Sequence, residues 1–329
     1  MILRKLWVRW HRILLSLVLA VGVMAFLLAK INVAELVQVL MGTSPAWISL
    51  GVLLFLLNQL LKALRYRILL YSKRDDFSRL FSIQCLQALL NGLLPAGMGE
   101  LSYIYLLKRW YQTPIPEGAS VLLVARATDV GLFAALFIAL EVFAWDRLRN
   151  PYLQSVAILM IALAIFLLAL YAYIVRRGGG IRWLKRFNQL RWGQPLRRFV
   201  EQYGTQVLNT FERIPPSRYF VSVIFSTLMW MVMFGVFYST INALHYDLSI
   251  EETLFLFLIL WPLSLLPIKG IGDFGTHEGG WTLALFLLGY SSQEAIVLAV
   301  GSHMIFLLNT FLILIPPALL WLVKRRTWK

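Results

Sequence analysis

The sequence predicts an all-α integral membrane protein: about six transmembrane helices plus two broken re-entrant helical hairpins in an inverted repeat. Three observations carry this expectation. Hydrophobic residues fill 60% of the 329 positions, well above the roughly 45–50% of soluble domains. Apolar runs of about 20 residues, the length that crosses ~30 Å of hydrocarbon, recur along the chain. Two further apolar runs are split by glycine-punctuated breaks, Leu94-Pro95-Ala96-Gly97-Met98-Gly99-Glu100 and Leu266-Pro267-Ile268-Lys269-Gly270-Ile271-Gly272-Asp273-Phe274-Gly275-Thr276-His277-Glu278. Unwound backbone at bilayer depth survives only where protein or a water-filled cavity surrounds it, so each break marks a protected interior.

Taken in order, the uninterrupted spans are 12–29, 46–70, 118–144, 153–175, 217–244 and 291–322. The broken runs, 80–109 and 251–289, read as hairpins that return to the face they left. The first span follows Arg4, Lys5, Arg9 and Arg12 and has no small-residue cleavage site after it, so an uncleaved helix is expected rather than a signal peptide. Of 31 Lys and Arg, 26 lie in 1–12, 62–79, 108–109, 176–218 and 324–329, all on one side in this topology. By the positive-inside rule that side is the cytoplasm, with both termini in it, and the membrane is the cytoplasmic (inner) one. Lys62, Arg65 and Arg67, near the end of the second span, are expected to snorkel to that interface. The net charge of +15 alone suits nucleic acid, but segregation to one membrane face does not.

The two halves correspond. Repeat one covers about 12–144 and repeat two about 153–322, within a single membrane domain. Pro45 precedes Pro95 by 50 residues, and Pro215 or Pro216 precedes Pro267 by 52 or 51. The stretch from Pro116 to Leu122 resembles Gln293 to Leu298 in type and place. Entered from opposite faces, such halves make an inverted repeat, the usual basis of alternating access. Between them the basic linker 176–216 interleaves Trp183, Leu184, Phe187, Leu190 and Trp192 with arginines, which suits an anionic leaflet or an ordinary cytoplasmic loop.

Ionisable groups at membrane depth cost a few kcal/mol each by insertion scales, so those present need a reason. Arg126 and Asp129 lie one helical turn apart in the third span, where they either neutralise each other or hold an anionic headgroup. His303 lies at a matching depth and is a candidate partner. Glu100 and Glu278 follow the breaks in equivalent places, as proton or cation coupling groups or as helix caps. Lys269 and Asp273, flanking Gly270 and Gly272, form a cluster suited to anions, with His277 beside it. Gln84, Gln87 and Asn91 fall on one face of the first hairpin helix, as a cavity lining would. Pro95, Gly97, Gly99, Pro267, Gly270, Gly272 and Gly275 set the breaks themselves.

Other motifs fail on context. Asp273-Phe274-Gly275 has kinase letters without a kinase scaffold, and His277-Glu278-Gly279-Gly280-Trp281 lacks a second zinc-binding histidine. No Walker or dinucleotide fingerprint is present, and the lone Cys85 reads as a small buried apolar residue. No cofactor, metal or nucleic-acid partner is expected.

At both breaks the sequence resembles the lysylphosphatidylglycerol synthase transmembrane region, or flippase-like, family. Asn91 to Glu100 is similar to its proline and glycine-glutamate signature. Leu266-Pro267 through Gly272, Gly275 and Glu278 is similar to its second, and Arg126 with Asp129 resembles its intervening basic-acidic pair. A glycine frequent in the family is Asp273 here, its arginine before the glutamate is His277, and an arginine near Glu100 is Tyr103. The resemblance implies movement of lipids or polyprenyl-linked precursors between leaflets, without the soluble transferase that some members carry.

The expectation from residues and resemblance together is a lipid translocase. It would move an anionic phospholipid or a polyprenyl-phosphate-linked lipid, with proton coupling through Glu100, Glu278 and Asp273. Arg126, Asp129, Lys269, His277, Asn91, Gln87 and His303 would bind substrate. The alternatives are a membrane-embedded enzyme that modifies a headgroup through His277 and Glu278, and a scaffold partnering a lipid glycosyltransferase.

Overall fold

The computed structural model describes residues 33–70, 76–95, 98–144, 214–265 and 270–323, with scattered helical positions between 155 and 210. The expected span 12–29, most of 153–175, most of the linker, and Gly97, Pro267 and Lys269 lie outside the described residues. Everything described as regular structure is helical, in the order α1 (Val33–Met41), α2 (Pro45–Leu69), α3 (Phe77–Leu93), α4 (Met98–Trp110), α5 (Ile115–Ala144), α6 (Pro216–Ala243), α7 (Ile250–Leu265), a short 3₁₀ turn (Ile271–Asp273), α8 (Thr276–Leu287), α9 (Ser292–Leu312) and α10 (Ile315–Val323).

Local chemistry fixes the helix starts. Proline occupies the first position of α2 and α6, where its missing N–H costs nothing. Asp76 caps α3, its carboxylate accepting from the Arg79 amide at 3.1 Å. Two helices open with a reciprocal serine and glutamate box: Ser249 with Glu252 before α7, and Ser291 with Glu294 before α9. Between α9 and α10, Pro316 and Pro317 cannot donate to the carbonyls one turn back, and the helix breaks at Ile313 and Leu314.

Among the described residues, four helical stretches are long and apolar enough to cross a membrane: Pro45–Leu69, Ile115–Leu136, Ser217–Ala243 and Ser292–Val323. Each matches an expected span. Large apolar side chains point outward along them, among them Leu53, Phe220, Met231 and Phe311, an arrangement stable in hydrocarbon and not in water. Among the described residues one order of elements occurs twice. A proline-started long helix, a shorter helix, a break, a short helix and a second long helix run from α2 to α5 and again from α6 to α9. Glu117 and Glu294 both sit in the first turn of the closing helix of their half.

Contacts divide the chain into two compact units that cut across the halves. The first comprises 1–59, 84–102 and 231–329; the second comprises 60–83 and 103–230. In the first unit α1 lays Leu36, Val39 and Leu40 against Ile296, Val297 and Val300 of α9, and Phe55 packs on Phe306 with ring centroids 5.7 Å apart. Gly51 lets α2 approach closely, since a Cβ there would lie 3.0 Å from the Ser239 hydroxyl. In the second unit Leu69, Leu80, Ile83, Leu107, Val121, Val124 and Phe133 are buried, as is Tyr103, whose ring lies 4.5 Å from that of Tyr66.

Candidate functional site

The first break doubles the chain back. Gly99 sits so close to α3 that a Cβ would fall 2.1 Å from the Asn91 Cα, whereas eight helical residues would separate these positions by about 12 Å. Only glycine permits that approach. Glu100 follows in the first turn of α4, half-buried. Gln84 is fully buried, while Gln87 and Asn91 are partly exposed, so the expected polar stripe does not share one environment. Cys85 is buried beside it.

At the second break the backbone turns left-handed three times in four residues. Gly272 has φ 68°, Asp273 61° and Gly275 81°. Gly270, by contrast, is extended at φ −68° and ψ 170°. Asp273 thus holds a conformation that favours glycine, which accounts for the glycine that the resembling family places there. Aspartate tolerates it because its carboxylate takes the Thr276 hydroxyl.

Glu278 and His303, assigned different tasks from sequence, form one unit. His303 Nδ1 lies 2.5 Å from Glu278 Oε1, and neither side chain has any exposed surface. The other carboxylate oxygen accepts the Gly275 amide at 2.7 Å, capping α8. The other ring nitrogen, Nε2, donates to the Gly272 carbonyl at 2.9 Å. His277 stacks on His303, centroids 4.5 Å apart and planes 19° from parallel, and its Nε2 lies 3.1 Å from the Ser302 hydroxyl. Trp281 and then Phe237 extend the same near-parallel column. His277, Ser302, Trp281 and Phe306 also line a small cleft with Met233, Val236, Phe237 and Thr240.

The second unit holds a different ionic cluster. Asp129 does lie near Arg126, at 3.6 Å, but its short partner is Arg65, at 2.7 Å. Arg65 does not snorkel. Its side chain is 3% exposed and also donates to Ser226 at 2.7 Å, because a buried carboxylate supplies the compensation that interfacial water would otherwise give. The Trp230 indole donates to the same Asp129 oxygen at 3.1 Å, and Thr128 lies 3.1 Å from Ser226. Arg126 is the accessible member, its side chain 31% exposed. Sequence reading missed Arg65, Ser226 and Trp230. The available signal was the polar stripe Asn58, Lys62 and Arg65 at i, i+4 and i+7 in an otherwise apolar helix.

The chemistry of the two clusters differs. The Arg126 cluster offers a guanidinium steadied by a carboxylate that a second arginine already neutralises, an arrangement that suits an anion. The Glu278 cluster offers a buried carboxylate and imidazole in hydrogen-bond contact at a helix break. Among the described residues no group of three or more His, Cys, Asp or Glu is placed to hold a metal ion. Comparison with curated proteins and with solved structures gives no match. The model of the lysylphosphatidylglycerol synthase TM region matches residues 13–314, nearly the whole chain, and the protein belongs to that family.

Proposed function

We propose that this protein is a translocase that carries an anionic phospholipid or a polyprenyl-phosphate-linked lipid between the leaflets of the cytoplasmic membrane. The observation that carries the reading is the accessible Arg126 beside a buried Arg65–Asp129 pair on long apolar helices. A cation held at that depth in a lipid-facing protein has a lipid headgroup as its natural counter-ion. The family's link to membrane lipids and the repeated order of elements support the same reading. In it, the full chain has six spans and two re-entrant hairpins, the halves are inverted, and both termini are cytoplasmic. Arg126 receives the phosphate, and Glu100, Asp273 and Glu278 couple the cycle. An acid-base enzyme at His277 and Glu278 is less well supported, since both Glu278 oxygens are engaged and buried.

The test is headgroup accessibility of labelled anionic lipids in sealed proteoliposomes. The wild type is expected to redistribute the label. Arg126→Ala should slow it by about 10- to 100-fold, the loss of one charge-assisted hydrogen bond of roughly 1.5–3 kcal/mol. No redistribution of any anionic lipid by folded wild-type protein would overturn the reading.

A further inference from the structure

We infer that Glu278 and His303 form a binding site for one proton, and that this proton clamps the second helix break to α9. The inference rests on reading Glu278 as a coupling residue and supplies what that reading lacks, the number of protons and the element they control.

The count follows from donors and acceptors. Gly272 offers His303 only a carbonyl oxygen, so Nε2 carries a hydrogen and donates it. Nδ1 and Glu278 Oε1, 2.5 Å apart, then share one hydrogen, whichever atom holds it. Either placement leaves the pair without net charge, as imidazolium with carboxylate or imidazole with carboxylic acid. A fully buried pair is stable only in that condition.

Losing the shared hydrogen leaves a carboxylate facing an imidazole lone pair across the same distance, with a buried negative charge. The contact then turns repulsive. The chain of bonds from the Gly272 carbonyl through His303 and Glu278 to the Gly275 amide is the clamp that holds the left-handed turn. Release of the proton therefore frees Gly272 to Gly275 from α9, and the backbone there, with three positive φ angles, keeps only its own turn bonds, from the Asp273 amide to Gly270 and from the Phe274 amide to Ile271.

Among the described residues, two other titratable groups face the pair. His277 stacks on His303, and Asp273, two residues from Gly275, is tied to Thr276. From the elements packed around it in the same unit, α2 over 45–59 brings no titratable side chain and α6 over 231–243 only Tyr238. α7 carries Glu251 and Glu252 in its first turn, α9 carries Glu294, α4 carries Glu100, α1 carries Glu35 and α3 carries Cys85.

The experiment uses the full chain in detergent without added lipid, with Ile271→Cys in a Cys85→Ala background. Maleimide labelling of the turn is followed against pH and divided by the rate at Leu101→Cys, an exposed position on α4 that corrects for thiol ionisation. The ratio should rise by about tenfold per pH unit below a single transition, the slope of one proton. Glu278→Gln, whose amide can donate to Nδ1 and still accept from Gly275, should hold the clamp closed and keep labelling low at every pH. A flat wild-type curve, a slope of two protons, or a Glu278→Gln protein that follows the wild-type curve would overturn the inference. Should that variant not fold, the wild-type slope decides alone. A flat curve leaves lipid movement through Arg126 standing, and absence of lipid movement leaves the curve standing, so the two proposals fail separately.

Discussion

Arg65→Met should be the most damaging single replacement in the second unit's ionic cluster, more so than the same change at Arg126. Methionine keeps much of the length and apolar stem of Arg65 while removing the guanidinium. Breaking a buried ion pair from one side costs about 3–5 kcal/mol, because the remaining charge is left uncompensated. Asp129 retains the Trp230 indole at 3.1 Å and Arg126 at 3.6 Å, which argues for the low end, about 3 kcal/mol. Arg126→Met removes a longer, partly exposed contact and should cost less than about 1 kcal/mol. Replacing both partners, Arg65→Met with Asp129→Asn, leaves no buried charge and should recover most of the loss. Reversible unfolding in mixed detergent and SDS micelles reads all four proteins. If Arg65→Met is no less stable than Arg126→Met, or if the double replacement is as unstable as Arg65→Met, the buried pair does not carry the energy assigned to it.

The glycines give sharper contrasts. Gly99→Ala places a Cβ 2.1 Å from the Asn91 Cα, so it should destabilise by more than about 3 kcal/mol or prevent recovery of monodisperse protein, judged by size exclusion. Gly272→Ala meets the Phe274 ring at 2.8 Å with φ at 68° and should cost about 1–3 kcal/mol in the same unfolding assay. By contrast, Gly279→Ala, inside α8 with nothing within 4 Å, should be neutral or stabilise by up to about 1 kcal/mol. Tyr290, in the loop before α9, is partly buried and near Glu252, Asp247 and Glu294, so its phenol is held above the ordinary value of 10.0. Because the folded state holds that proton more tightly, its stabilising effect is present below pH 10.0 and fades as pH rises through the raised value. An ultraviolet titration of wild type minus Tyr290→Phe checks this, and a phenol ionising at or below the ordinary value refutes it.

Composition and local order were legible in the sequence because both depend on near neighbours. Four expected spans coincide with long apolar helices, and both breaks fall where proline and glycine interrupt an apolar run. Partnerships were less legible. Asp129 was read against Arg126 because i, i+3 spacing is visible along one helix, while Arg65, 64 residues away, becomes its neighbour only when α2 and α5 pack. Arg65 also resembled its flanking cations Lys62 and Arg67, and one-dimensional position near a helix end does not report burial. His303 and Glu278 are likewise 25 residues apart and were given separate roles. The backbone requirement at Gly99 is a contact between helices, invisible in composition. At Asp273 the resemblance marked a departure from glycine, and the structure supplies the reason glycine is favoured there, a left-handed backbone.

The Glu278 cap also bears on how firmly a substrate can be held. The amides around the start of α8 would be the natural cradle for a phosphate, yet that of its N-cap, Gly275, already has a resident anion. An incoming phosphate gains only the difference between itself and the carboxylate it displaces. On the translocase reading that competition keeps affinity shallow, and shallowness is useful: a carrier that captures its passenger too well on one leaflet never lets it off on the other.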